Sequence, residues 1–217
     1  MHTPFRNRAA AGQELARLLS AYAGRTGLLV LGLPRGGVPV AAQVAHALGA
    51  ELDICLVRKL GAPGRPELAM GAVAAGGVTV LSPDVLSSYS VTEEQLAQVA
   101  ASEHEVLERQ LAAYRSGPAP DVSGRTVILV DDGLATGATM RAACGAMRLH
   151  SPARLIVAVP VAPVGAATAF IEVADEVVVA VTPDQFRAVG EWYDDFEQTT
   201  DDEVRALLRA FGHKPVG

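Results

Sequence analysis

Between Ala9 and Tyr22 the apolar positions recur at helical spacing, with Leu15, Leu18 and Leu19 among them, and predict an amphipathic helix ending near Gly24. The pattern then changes to short continuous apolar runs. Residues 28–31, 53–57, 127–130, 154–160 and 176–181 each read as a strand buried on both faces, because their aliphatic residues follow one another without polar alternation. Helical patterns separate them, from about Val40 to Leu48, from about Met140 onward and around residues 166–173. Buried strands alternating with helices predict a parallel sheet with right-handed crossovers. Ligands bind such sheets where the loops gather at the strands' carboxyl ends.

The middle of the chain departs from this rhythm. Residues 60–71 are dense in Gly and Pro and read as a mobile loop closing over a site, with Arg65 and Glu67 as its candidate contacts. Residues 72–75 and 78–81 flank Gly76-Gly77, a hairpin signal. Thr92 opens a long helix to about Tyr114, with Gln95 at the capping-box position and Glu103, Glu105, Glu108 and Arg109 as a solvated face. Residues 116–120 link into the central strand, and a last helix is expected over about residues 200–211.

With 217 residues, half of them hydrophobic, the chain can bury one substantial core, and a single domain over residues 1–217 is expected. The net charge of −6 and the scatter of the 18 basic residues argue against a nucleic-acid surface. No apolar run approaches the roughly 20 residues that a membrane-crossing helix needs. Residues 1–6 lack the apolar centre of a signal peptide, so a cytoplasmic protein without a membrane partner is expected. Cys55 and Cys144 have no companions at metal-ligand spacing and read as small core residues.

The candidate chemistry lies in the loop after residues 127–130. Gly133 and Gly137 allow a tight path, so backbone amides near Thr136 to Thr139 can converge on an anion at a helix N-terminus, and the two Thr hydroxyls add donors. Asp131 and Asp132 would repel a phosphate placed on them; they suit sugar hydroxyls beside it, or a hydrated divalent cation. The loop therefore fits a sugar phosphate. A strand followed by a Thr-capped helix is the plainer alternative, but capping does not require the acidic pair. The Lys of a Walker loop is absent. A second strand-loop-helix unit places Arg35 among Pro34, Gly36 and Gly37, where backbone amides and a guanidinium could face an oxyanion together, although an ordinary turn would look similar.

Residues 127–139 closely resemble the phosphoribosyl diphosphate (PRPP) loop of type I phosphoribosyltransferases. Pro34-Arg35-Gly36-Gly37 resembles their pyrophosphate loop, which in several relatives holds a non-proline cis peptide; here that bond would be Pro34-Arg35. Arg58-Lys59 followed by a flexible loop is similar to adenine and orotate enzymes. The resemblance implies an α/β fold of the type I, Rossmann-like kind. Its parallel core would span about residues 25–182, with a small hood from the terminal segments and a hairpin and helical insertion over about 59–124. It implies Mg2+-dependent transfer of 5-phosphoribosyl from PRPP to a nucleobase or related nitrogenous acceptor, with release of pyrophosphate.

By the same resemblance, Ala135, Thr136, Gly137, Ala138 and Thr139 would bind the 5'-phosphate, and Asp131 and Asp132 the ribose and Mg2+. Arg35, Gly36, Gly37 and Lys59 would bind pyrophosphate, and Arg35, Arg58, Lys59 and Glu67 would act in catalysis. Phe186, in a Pro-Asp-x-Phe stretch, would stack on the acceptor base. Hypoxanthine/guanine enzymes carry Asp where this chain has Ala135, which points away from 6-oxopurines. A homodimer is left open. The alternative is a non-catalytic PRPP or nucleotide sensor on the same fold; the Arg35 and Arg58-Lys59 clamp favours the enzyme.

Overall fold

The computed structural model describes residues 5–75, 77–114 and 117–213, without the side chains of Pro66 and Glu67. Helix α1 (Arg8–Leu18) starts at Asn7, whose side chain accepts a hydrogen bond from the Ala10 amide. It leads through a 3-10 turn to β1 (Leu28–Gly32), which is buried along its length. Helix α2 (Gly37–Leu48) begins at Gly37 rather than near Val40, so the Pro34-Arg35-Gly36-Gly37 loop runs straight into its first turn. Strand β2 (Glu51–Ile54) stops short of Arg58-Lys59.

The segment expected as a mobile loop is mostly strand. Strands β3 (Val57–Ala62), β4 (Arg65–Ala74) and β5 (Val78–Leu81) form a separate antiparallel sheet in that order. Leu60, Ala62, Met70 and Ala72 are buried at a period of two, which pins the hairpin through its side chains. The glycines serve its geometry: Gly64 turns with a φ of 71°, and the register shifts on both sides of Gly61. Arg58 and Lys59 therefore lie inside β3 and not at the end of a core strand.

Helix α3 (Pro83–Ser88) precedes α4 (Glu93–Tyr114), where Thr92 and Gln95 form the expected reciprocal cap. Strand β6 (Thr126–Val130), helix α5 (Ala138–Arg148) and strand β7 (Arg154–Val161) follow. A 3-10 turn at Ala166–Phe170 stands where a longer helix was expected. Strand β8 (Glu176–Val181) and helix α6 (Asp201–Ala210), with its own Thr200–Glu203 capping box, complete the chain.

The five remaining strands form one parallel sheet in the order β2-β1-β6-β7-β8. Alternation within β1 and β6 divides the core. Val30 and Ile128 join α1, α2, α4 and α6, whereas Leu31 and Leu129 join α5. Neighbouring strands β1 and β6 thus send their following helices to opposite faces, and a crevice opens between the two loops at their carboxyl ends. Among the described residues no helix is long and apolar enough to cross a membrane.

Candidate functional site

Glycine sets the distance between the two loops. A Cβ on Gly37 would lie 2.6 Å from the Val130 carbonyl oxygen and 2.8 Å from Asp131 Cα; on Gly36 it would lie 2.0 Å from Asp132 Oδ2. Any side chain at Gly37 would push against main chain, so the loops touch only because both positions are bare. The Pro34–Arg35 peptide is cis, as the resemblance implies. The Gly37 amide does not face the crevice, because it donates to the Leu33 carbonyl at 3.0 Å.

Arg35 projects towards α6, with Nη1 3.9 Å from Asp201 Oδ1. The same carboxylate oxygen accepts from the Tyr114 hydroxyl at 2.5 Å. Burial, and then this bond, pushes the Tyr114 phenol up to about 12. A cavity of about 480 Å³ opens here, with Arg35, Arg58, Gln110, Tyr114, Thr139 and Asp201 in its walls. Residues that follow β1 and the first turn of α5 after β6 therefore share one space. Arg58 reaches it from β3, its Nε donating to Glu103 Oε2 at 2.5 Å, so Glu103 belongs to the cavity's support rather than to a purely solvated helix face. Lys59, its neighbour on the strand, points to the opposite face of the hairpin. The Glu67 side chain lies outside the described residues.

In the loop after β6 the tight backbone path expected at Gly137 is present. Gly137 adopts a φ of 70° and caps α5, and the Ala138 amide donates to Thr136 Oγ1 at 3.4 Å. Ala135, Thr136, Ala138 and Thr139 are exposed to solvent. A second cavity, of about 260 Å³, is bounded by Ala135, Thr136 and Gly137 and by the turn at Gly165 and Phe170. Phe186 lines neither cavity; it is half-buried beside Val161, Val189 and Tyr193.

The acidic pair is held from outside its own loop. Asp131 Oδ1 accepts from the Asp132 amide at 2.9 Å, while Asp132 Oδ2 receives Arg8 Nε at 2.8 Å and the Asp132 carbonyl receives the Tyr193 hydroxyl at 2.6 Å. Desolvation, and then the Asp132 charge, holds the Asp131 carboxyl well above its usual value. Desolvation also raises Asp132, against the Arg8 hydrogen bond. Arg8, Tyr193, Tyr114 and Asp201 carry no motif and are missing from the sequence-based set.

Among the described residues no three His, Cys, Asp or Glu gather to hold a metal. Two carboxylates without a third still fit Mg2+, which is commonly bound through one or two carboxylates together with waters and substrate phosphates. Cys55 also lines the larger cavity, but burial pushes its thiol up to about 12, which removes it as a nucleophile at neutral pH.

Comparison with known proteins shows the family and the fold. The phosphoribosyl transferase domain model matches residues 4–190. A Mycobacterium tuberculosis protein, whose name gives phosphoribosyl transferase as a provisional assignment, is 44% identical over 205 residues. The match takes in 94% of this chain and 46% of that protein, so the chain spans about half the length of the curated relatives it matches. The crystal structure of TT1426 from Thermus thermophilus is 46% identical with a TM-score of 0.87, covering 95% of this chain and 98% of that one. A hypothetical protein from Neisseria gonorrhoeae, crystallised with bound ppGpp, shares the fold alone, at 13% identity and a TM-score of 0.50 over 97% and 99% of the two chains.

Proposed function

The chain belongs to the phosphoribosyl transferase domain family, and from that premise we propose that it transfers 5-phosphoribosyl from PRPP to a nitrogenous acceptor, with Mg2+, releasing pyrophosphate. The observation that carries this reading is the single cavity shared by Arg35 and Thr139, whose loops meet at Gly37 and Asp131.

In this reading the amides and hydroxyls of Thr136 to Thr139 hold the 5'-phosphate at the N-terminus of α5, where the helix dipole also favours an anion. Asp131 and Asp132 accept hydrogen bonds from the ribose hydroxyls. Arg35, with Arg58 across the cavity, faces the diphosphate and stabilises the charge that grows on it as the C1–O bond breaks. The acceptor nitrogen supplies the electron pair for the new bond to C1 and loses its proton. Mg2+ bound beside Asp131 and Asp132 would neutralise part of the diphosphate charge. Positioning and electrostatics suffice for such a step, and no protein nucleophile enters it.

Pyrophosphate release from PRPP and Mg2+, measured across a panel of nucleobases and simple amines, tests the proposal. Acceptor-dependent release is the expected result. PRPP binding by calorimetry with no release for any acceptor would replace it with the sensor reading.

A further inference from the structure

Asp132 is tied down by the two ends of the chain rather than by the strand-loop-helix unit to which it belongs. Arg8, in the first turn of α1, is only 12% exposed at its side chain and makes three separate contacts. Its Nε donates to Asp132 Oδ2 at 2.8 Å, its Nη1 donates to the Glu197 carbonyl at 2.6 Å, and its guanidinium lies 3.9 Å over the Phe196 ring. The backbone beside it is stitched to the same C-terminal segment, with the Asp194 and Asp195 amides donating to the Phe5 and Arg6 carbonyls at 2.9 and 3.0 Å. From that segment Tyr193 holds the Asp132 carbonyl. The carboxylate of Asp132 is thereby laid against Gly36 of the facing loop.

We propose that Arg8 is a positioning residue for the ribose side of the site: it fixes the Asp132 carboxylate by one oxygen so that the other is presented to the ribose hydroxyls. The inference rests on the PRPP reading given above. Two physical requirements favour it. A carboxylate withdrawn from water needs a charged partner, and Arg8 is the one the structure supplies. Two adjacent carboxylates beside a polyanionic ligand also repel it, and a buried guanidinium offsets that repulsion without blocking the diphosphate, which the Arg35 loop receives on the other side. A guanidinium serves both ends because its planar fork can bind Asp132 and Glu197 together while its face rests on Phe196.

The test uses the full chain with Mg2+ and two probes, PRPP and inorganic pyrophosphate, with calorimetric affinities for wild type, Arg8→Met and Arg8→Lys. Arg8→Met should weaken PRPP about tenfold, the size of one lost charge-assisted hydrogen bond. Pyrophosphate affinity should be unchanged, and Arg8→Lys, which keeps the charge but not the planar fork, should recover only part of the loss. In turnover the KM for PRPP should rise with little change in kcat. If Arg8→Met does not fold, Tyr193→Phe keeps the buried ring and removes only the bond to Asp132; it should weaken PRPP about threefold with pyrophosphate unaffected. A folded Arg8→Met that binds PRPP as wild type does would overturn the inference. So would equal loss of both ligands, the mark of a strap that merely joins the chain ends. A wild-type chain that binds no PRPP overturns the functional reading itself, and the inference with it.

Discussion

Gly37 decides how closely the loops after β1 and β6 approach, and Arg35, two residues before it, decides what charge the crevice presents. Gly37→Ala would drive a methyl group into the Val130 carbonyl and Asp131 Cα, neither of which can swing away. It should cost about 1–3 kcal/mol of stability in denaturant titration, the range for forced overpacking. Arg35→Ala should behave in the opposite way. With its side chain 37% exposed and its ion-pair partner 3.9 Å distant, Arg35 contributes little to stability, and the midpoint should barely move. Its loss should lower kcat/KM by about 2–4 kcal/mol, as expected for one oriented transition-state donor. Asp131→Asn combined with Asp132→Asn should weaken PRPP markedly in calorimetry; unchanged affinity would remove both from the ribose site.

Among the elements, those specified by large aliphatic residues are the ones visible in sequence. The parallel strands and the α/β class of the type I fold follow from runs such as 127–130, which has no polar residue to turn outward. The β3–β4 hairpin was hidden because Gly and Ala occupy positions where an alternating strand would usually show Val or Ile, so the glycines suggested mobility. Arg8 was hidden for another reason: its partner Asp132 stands 124 residues away, and no local pattern encodes such a pair. The α5–β7–β8 corner allows a test at this scale. Asp175 joins all three elements, receiving Arg148 Nη2 at 2.9 Å and the Leu155 amide at 2.7 Å. The Arg148 hydrogen bond chiefly holds its carboxyl below the usual value, against a desolvation cost, with the Leu155 amide assisting. A depressed folded pKa means that the native state binds fewer protons than the unfolded one. The stabilisation is therefore fully present above the unfolded value of about 4 and lost as pH falls through the folded value. Asp175→Asn should thus lower the thermal midpoint at pH 7, and the difference from wild type should shrink progressively as pH falls below about 4.

For the whole molecule, strand order matters more than strand identity. The chain winds β1, α2 and β2 locally, and separately winds β6, α5, β7 and β8; the two halves join where β1 pairs with β6, from Leu28–Thr126 to Gly32–Val130, across the entire insertion. That seam is also where the Arg35 loop and the loop after β6 touch, at Gly37 and Asp131. Joining it requires closing a long loop before any contact repays the entropy, which makes it a late and slow event in refolding. The barrier is then the closure itself, and the loop contacts that a bridging ligand binds form only after it. PRPP with Mg2+ should accordingly slow unfolding in proportion to its occupancy while leaving the refolding rate unchanged, so that only one limb of a stopped-flow chevron moves with ligand concentration. Movement of both limbs would place the seam in the folding nucleus. The strand order that builds the crevice would, on this account, also make substrate a brake on the protein's own unfolding.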